Sequence, residues 1–253
     1  NFGFSGERPS HPELLDDLAV KFMANGWSVK KLVREVVLSR AYRQASTYRE
    51  DAFRTDPENR WLWRASKRRL EAEAIRDAML SAAGELDSTR PAGSLIAKTI
   101  GDRPISLIGL DTRLPTDLDG SRHRSIYLPV IRDRLPDVLD LFDFAEPSLV
   151  TGDRETTNVP VQALYLMNSS FVQARAAALA DRLLREADDD EQRIRRGYLL
   201  CLGRVPDENE RRDVAEFFQK KSLLSGDDEQ RSRQLLQSYC QVLFLTAEFR
   251  NID

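Results

Sequence analysis

The chain has 253 residues, of which 41% are hydrophobic and 31% are charged. This composition is typical of a globular protein, and the length allows one large domain or two small ones. The formal net charge is −3 and acids interleave with the basic clusters, which excludes a broad basic surface for nucleic acid. No run approaches the roughly 18 consecutive apolar residues of a membrane span.

Two short helices are predicted near the start of the chain. Ser10 and Glu13 match a capping box for a first helix that stops at Asn25-Gly26. Ser28 is the predicted N-cap of a second helix that runs to about Tyr42. Because the connection between them is short, we expect an antiparallel helix pair.

The middle of the chain changes from a helical to an irregular pattern. Residues 66–83 are strong helix formers, and Gly84 ends that helix. Residues 85–135 contain short apolar runs punctuated by glycine, which predict a small hairpin or meander and no β-structure elsewhere. These runs are Leu95–Ala97, Ile105–Ile108 and Ser125–Val130.

A long amphipathic segment runs from Asp153 to Ala187. Its apolar residues recur at steps of three and four, which is the spacing of one helical face. Asn158 is the predicted N-cap, and Pro160 falls in the first turn, where a missing amide costs nothing. The polar run Asn168–Ser170 competes for backbone hydrogen bonds and predicts a kink or a break.

Three helices are predicted after this segment. The first runs from Asp190 to Leu202 and stops at Gly203. Asp207 and Glu210 match a capping box for the second, and the third spans about Glu229 to Phe249.

These elements predict a mainly α fold, a multi-helix, bundle-like domain with a small irregular, β-containing insertion at about residues 88–132. We expect a main helical domain over 1–187, with its irregular region at 85–135. A C-terminal helical subdomain over 188–253 packs on it or forms one domain with it. The acidic run at 188–190 marks the boundary.

Few residues of the chain carry obvious chemistry. The only histidines are His11 and His123, so no metal site and no catalytic residue set is predicted. The only cysteines, Cys201 and Cys240, lie in apolar helical segments and are either a disulfide or two buried thiols.

Ligand-binding candidates cluster where the irregular region is expected to meet the long helical segment. A pocket there would be lined by the aromatic rings of Trp61 and Trp63. Arginines interleaved with carboxylates also suit a structural ion-pair network, because they hold the carboxylates ionised. The candidates are Arg69, Glu73, Arg76, Arg124, Tyr127 and Arg154.

A set of short motifs in chain order resembles a known family. The chain is similar to the C-terminal domain of unknown function of planctomycete-type multidomain proteins, which often carry an N-terminal cytochrome-c-like module. The motifs are Ser10–Leu15, Gly26–Ser28, Tyr42–Gln44, Asp56-Pro57, Asn59-Arg60, Arg68–Glu73, Ile75–Asp77, Arg124–Tyr127, Phe142-Asp143, Arg154, Gln162–Leu164 and Leu202–Arg204.

The resemblance implies an exported or cell-envelope protein whose haem lies on a separate module. No C-x-x-C-H occurs in this sequence, so no cofactor is expected in this part of the polypeptide. A cysteine common in the family between the Phe-Asp motif and Arg154 is missing here, which puts any redox role of that position in doubt.

Three hypotheses about function follow. The first is a non-catalytic helical docking module whose partners are other domains of the same polypeptide or envelope proteins. The second is a polysaccharide-related enzyme or carbohydrate-binding domain with an Arg/Glu-lined pocket for a glycan. The third is a support domain for a haem-bearing electron-transfer module.

Overall fold

The computed structural model describes residues 4, 6, 8–93, 120–130, 135–152, 154–219 and 227–252. This part of the chain is mainly helical, as predicted. Its α-helices are α1 Pro12–Ala24, α2 Val29–Leu38, α3 Glu50–Thr55, α4 Ala72–Ala83, α5 Asp137–Leu141, α6 Pro160–Asn168, α7 Ser170–Glu186, α8 Asp190–Leu202, α9 Glu208–Gln219, α10 Asp228–Leu245 and α11 Ala247–Arg250.

The chain divides into two compact units. The N-terminal unit consists of Asn1–Arg68 together with Asn251–Asp253, and the core unit is Arg69–Arg250. The subdomain boundary expected near residue 188 falls inside the core unit.

The N-terminal unit begins with the predicted helix pair α1–α2. The Ser28 hydroxyl accepts from the Lys31 amide and caps α2, as predicted. Gly26, with φ +73°, follows the end of α1. The predicted Ser10 cap is wrong: His11 is the N-cap of α1 and makes no side-chain cap bond, because the Ser10 hydroxyl is paired with His11 Nδ1 at 2.9 Å.

The core unit is built around α7, which packs against α4 and α10. Small side chains on α7 let its neighbours approach closely, since Ala176 and Ala180 are fully buried. Ile75 of α4 and Phe244 of α10 are also fully buried in this core. The face that the apolar spacing predicted is therefore the face that α7 buries.

The long segment before α8 is divided in two, as its polar run predicted. α6 ends at Asn168, and the Ser169 side chain accepts from the Phe171 amide at the start of α7. The predicted cap at Asn158 is wrong. Val159 is the N-cap of α6, and Pro160 occupies the first turn without any side-chain cap bond.

Two other helix boundaries differ from the prediction. α4 begins at Ala72 instead of residue 66, because the Leu70 amide donates to the Arg250 carbonyl oxygen at 2.7 Å and holds that backbone extended. The last predicted helix is interrupted at Thr246. The Thr246 hydroxyl accepts from the Phe249 amide and starts α11.

The predicted stops and caps around α9 are present. Gly203 ends α8 with φ +70°. Asp207 and Glu210 form the reciprocal pair of bonds of a capping box, at 2.9 Å and 2.7 Å.

The two described β-strands lie outside the irregular region, where no β-structure was expected. Arg68–Arg69 and Asn251–Ile252 form a two-stranded sheet outside residues 85–135. Ser125–Tyr127, at the start of a predicted strand, is a 3₁₀ turn, and the described part of the irregular region contributes an isolated bridge between Asp87 and His123. Leu95–Ala97 and Ile105–Ile108 lie outside the described residues.

Both cysteines are free thiols. Burial raises the pKa of the Cys201 thiol to about 12 and that of Cys240 well above its usual value. Both side chains are therefore poor nucleophiles at neutral pH.

A close approach of α8 and α10 depends on Gly197. A Cβ at this position would lie 2.8 Å from Tyr239 Oη, whose hydroxyl donates to the Ile194 carbonyl oxygen at 2.8 Å. We therefore expect Gly197→Ala to lower the free energy of unfolding by about 1–3 kcal/mol despite alanine's better helix propensity. Urea unfolding measures this loss.

Two further variants test the cause of that loss. Tyr239→Phe removes the contacting hydroxyl, so the double variant should lose less stability than the sum of the two single variants. Arg195→Ala, at an exposed position of α8, should stay within about 0.5 kcal/mol of the wild type. Additive effects at Gly197 and Tyr239 would contradict the close approach.

Candidate functional site

Arg76 is the most deeply buried charged side chain among the described residues, with 0% exposure. It lies on α4 and donates from Nη1 to the His123 carbonyl oxygen at 3.0 Å and to Ser125 Oγ at 3.2 Å. From Nη2 it also donates to the Ser121 carbonyl oxygen. Arg76 therefore fastens residues 121–125 to α4.

Asp77 completes the attachment of the same segment. Its Oδ1 accepts from the Ser125 amide at 2.8 Å and from the Ser125 hydroxyl at 2.7 Å. Arg124, a predicted ligand-binding residue, is half exposed and lies 3.7 Å from Asp77 Oδ2. Tyr127, another candidate, is half-buried in the 3₁₀ turn that follows. The predicted candidates Arg76, Arg124 and Tyr127 thus come together at one end of this segment.

Arg69 fastens a second segment to the start of α4. Its Nη2 donates to Asp143 Oδ2 at 2.6 Å, and its Nη1 donates to the Thr157 carbonyl oxygen. The Thr157 amide and hydroxyl both donate to Asp143, at 2.8 and 2.9 Å. Burial acts to raise the pKa of Asp143, but the bonds from Thr157 and Arg69 outweigh it and hold that pKa below its usual value. The arrangement keeps Asp143 ionised.

Arg154, which lies before α6, forms a bidentate ion pair with Glu73 of α4. Arg154 Nη1 and Nη2 donate to the two Glu73 carboxylate oxygens at 2.7 and 3.0 Å. Donating these hydrogen bonds to Glu73 raises the pKa of Arg154, and the guanidinium lies 5.0 Å from the ring centroid of Phe144. Glu71 adds a second carboxylate at 3.3 Å.

We call these side chains the α4 network: Arg69, Glu73, Arg76, Asp77, Arg124, Asp143, Arg154 and Thr157. The predicted ligand-binding arginines and Glu73 all belong to it, and they bond to backbone and side-chain groups of the same unit. Sequence reasoning missed Asp143, Thr157 and Gln162 as members of this region. Gln162 is the one with a usable signal, because it is a polar residue on the apolar face of α6, and it is buried with its amide donating to the Leu141 carbonyl oxygen at 2.9 Å.

The two tryptophans predicted to line the pocket lie in the N-terminal unit. The Trp63 indole N–H donates to the Asp56 carbonyl oxygen at 2.9 Å, and the Arg64 guanidinium lies 4.7 Å from its ring centroid. Trp61 is exposed and lines a recess of about 490 Å³.

A larger recess of about 730 Å³ lies in the core unit between α8 and α9. Ile194 and Phe218 give it an apolar floor. Its charged rim is internally compensated, because Arg211 lies 3.6 Å from Glu191 and 3.7 Å from Glu208.

The N-terminal unit carries an unusual apolar surface. Neither α1 nor α2 buries any residue, although both are amphipathic. On α2 the exposed valines follow helical spacing and lie on one face. We call the large exposed apolar residues of these two helices the hairpin face: Leu14, Leu15, Val20, Met23, Val29, Val33, Val36, Val37 and Leu38.

The described residues show neither a metal site nor a membrane span. Within them no group of three or more histidine, cysteine or acidic side chains is placed to hold a metal ion. No helix in the same part of the chain has the length and apolarity needed to cross a bilayer.

Comparison with known proteins places the chain in a family. The family described as PSD1, protein of unknown function (DUF1553), matches residues 1–218. The chain belongs to the PSD1 family. That match includes the hairpin face and the whole α4 network. No curated protein and no solved structure matches the chain significantly.

Proposed function

We propose that this PSD1 chain is a non-catalytic helical docking module. Its binding surface is the hairpin face, and its partners are other domains of the same polypeptide or envelope proteins. The observation that carries the proposal is that α1 and α2 leave all their large apolar side chains at least partly exposed. Exposed apolar surface of this extent marks an interaction site.

The size of the hairpin face supports a specific interface. Val29 and Val33 of α2 are 64% and 53% exposed. Full burial of a valine or leucine contributes about 1.5–3 kcal/mol, so a few such residues supply the favourable energy of a stable contact. The exposed valines of α2 share one helical face and are the part of this surface that a single partner can bury together.

Charged residues beside the hairpin face define the partner's chemistry. α1 carries the acids Glu13 and Asp16 near its start, whereas Asp17 is already paired with Lys21 at 2.7 Å. α2 carries the bases Lys30 and Arg34. A complementary partner presents an apolar helical surface with basic residues facing α1 and acidic residues facing α2.

The α4 network supports a structural role for most of the predicted ligand-binding residues. A binding or catalytic arginine needs donors free for a ligand. The Nη donors of Arg69 and Arg76 are directed at backbone carbonyls and side chains of the same unit, and both carboxylate oxygens of Glu73 accept from Arg154. These bonds hold the two loop segments against α4.

The family resemblance supplies the wider setting of the proposal. We place the module in an exported, planctomycete-type polypeptide that also carries a cytochrome-c-like module, so a haem-bearing domain is one of the candidate partners. Haem staining and cell fractionation of the full-length polypeptide test this setting. A cytosolic polypeptide without bound haem would contradict it.

A charge placed on the hairpin face tests the docking surface. We expect Val33→Asp to leave the stability of the isolated chain within about 0.5 kcal/mol, because Val33 is exposed. The same change should weaken binding to the separately produced remainder of the polypeptide by about tenfold or more, because it places a carboxylate in an apolar contact. Isothermal titration calorimetry of the wild-type chain and of the Val33→Asp variant measures this difference in affinity.

The matched control is Arg195→Asp, which introduces the same side chain at an exposed position of α8, outside the hairpin face and its flanking charges. It should weaken binding by much less than Val33→Asp. Equal affinities for the wild type and Val33→Asp would overturn the docking surface. Binding to a purified envelope protein, with the same sensitivity to Val33→Asp, would select that class of partner.

A further inference from the structure

The loop between Asp56 and Arg64 is held by an unusually dense set of hydrogen bonds. The two carboxylate oxygens of Asp56, a buried residue, accept from the amides of Arg60 and Trp61 at 2.9 and 2.8 Å. The Asn59 side-chain amide donates to the Arg64 carbonyl oxygen at 2.9 Å and closes the loop. This loop is therefore rigid before any ligand binds.

The loop also contains backbone strain. Asn59 has φ +55° and Leu62 has φ +54°, a conformation that is rare for leucine. The Gln44 side chain donates to the Leu62 carbonyl oxygen at 2.7 Å and helps to hold it. Strained residues of this kind persist where the surrounding bonds over-determine them, and they cluster at functional sites.

What the loop presents outward is the Trp61 side chain, which is 69% exposed. Its neighbour Trp63 is turned the other way and packs with Tyr48 at a centroid distance of 6.4 Å. Burying Trp61 as well would be favourable, because an aromatic side chain buries about 150–250 Å². A rigid loop that keeps Trp63 half-buried and leaves Trp61 exposed displays a flat apolar surface.

The recess beside Trp61 adds hydrogen-bonding groups of both kinds. It measures about 490 Å³, within the range of small-molecule sites. Ser10, His11 and Arg60 supply donors, and Glu58 supplies an acceptor. Two acids, Asp56 and Glu58, and one arginine line the recess. Both carboxylate oxygens of Asp56 already accept from backbone amides, so Glu58 and Arg60 are the charged groups open to a ligand, and they offset one another. The recess therefore suits neither a strong anion nor a cation.

We infer that Trp61 and this recess bind a neutral carbohydrate. A sugar ring has an apolar C–H face that stacks on an indole, and hydroxyls at its edge that both donate and accept. The indole of Trp61 takes the ring face, Glu58 accepts from one hydroxyl, and Arg60 and Ser10 donate to others. A preformed site of this kind loses little entropy on binding. The site is separate from the hairpin face and does not depend on the docking proposal.

The indole N–H signals of the three tryptophans provide the test. The ¹⁵N-labelled chain is titrated with cellopentaose, xylopentaose, maltopentaose and chitopentaose at millimolar concentrations. We expect at least one of these oligosaccharides to shift the Trp61 indole signal saturably and to leave the Trp27 and Trp63 signals in place. Trp61→Ala should weaken that binding by about tenfold or more, because large aromatic contacts dominate such sites.

The matched control is Trp27→Ala, because Trp27 is 66% exposed and lies far along the chain from the loop. It should bind the same oligosaccharide with unchanged affinity. The thermal midpoints of both variants should stay within a few degrees of the wild type. Unchanged binding by Trp61→Ala would overturn the inference. So would a Trp61 indole signal that does not shift with any of the four oligosaccharides. Adenosine shifting the Trp61 signal instead would replace the sugar with a nucleobase and would overturn it too.

Discussion

Replacing Arg76 by methionine is expected to lower the free energy of unfolding by about 3–5 kcal/mol. The methionine fills most of the volume of the arginine stem, so the loss comes from the missing guanidinium. Without it the carbonyl oxygens of Ser121 and His123 lose their buried donor. Each unsatisfied buried group costs about 1–3 kcal/mol. Equilibrium urea unfolding measures the change in free energy, and the m-value should stay the same in the variant.

Arg124→Met is the matched control, because Arg124 contacts the same carboxylate as Arg76. Its guanidinium lies 3.7 Å from Asp77 and is half exposed. Exposed ion pairs contribute about 0–1 kcal/mol, so this variant should be nearly as stable as the wild type. Similar losses of stability in Arg76→Met and Arg124→Met would contradict the inference that Arg76 holds residues 121–125 against α4.

Asp143→Asn is expected to cost about 2–3 kcal/mol at pH 7, because it removes the charge that neutralises Arg69. The side chains of Arg69 and Asp143 are 10% and 16% exposed, so solvent screens the pair only weakly. An asparagine keeps the size of the side chain but offers one acceptor oxygen instead of two. The loss should therefore be read as lost electrostatic and hydrogen-bonding stabilisation.

The pH dependence of that loss has a definite sign. Burial acts to raise the pKa of Asp143 in the folded chain, but the hydrogen bonds from the Thr157 amide and Arg69 outweigh burial and lower that pKa. The carboxylate therefore stabilises the fold above the unfolded pKa, about 3.9, and that contribution disappears as the pH falls through the lower folded value. The difference in free energy of unfolding between the wild type and Asp143→Asn should be largest at pH 7 and should become smaller below about pH 4.

Asp140→Asn provides the comparison for this pH series, since Asp140 is exposed on α5. It should follow the wild-type stability curve at every pH. A gap between wild type and Asp143→Asn that stays constant down to pH 2 would contradict the Arg69–Asp143–Thr157 arrangement.

The helices of this chain were predictable because their signals are local. The Asn168–Ser170 run interrupts the long segment, and Gly203 ends α8, as side-chain competition and left-handed backbone require. Errors occurred where another hydrogen bond, from a neighbouring ring or from a distant carbonyl, decided the outcome. Ser10 has the right residue type for a cap, but its hydroxyl pairs with His11, and the expected start of α4 at residue 66 ignored a bond to the Arg250 carbonyl oxygen.

The candidate site was predictable as a list of residues but not as an arrangement. The sequence interleaves Glu73 with Arg69 and Arg76, so an ion-pair network of these interleaved residues was one expectation. Glu73 instead pairs with Arg154, which is 81 residues away, and Arg69 pairs with Asp143. Such partners depend on how loops return to a helix, and helical periodicity contains no information about that. The exposure of the hairpin face was likewise hidden, because an amphipathic pattern predicts an apolar face but not whether anything covers it.

The most direct test of the docking proposal is the rate at which a thiol on the hairpin face reacts with a maleimide. Val33→Cys introduces that thiol, and the native background is low because Cys201 and Cys240 are buried with raised pKa values. The proposal predicts fast labelling in the isolated chain and labelling slowed by about tenfold or more in the full-length polypeptide or its envelope complex. Arg195→Cys, at an exposed position of α8, should label at similar rates in both. Equally fast labelling of Val33→Cys in every context would contradict the proposal that the hairpin face is a docking surface.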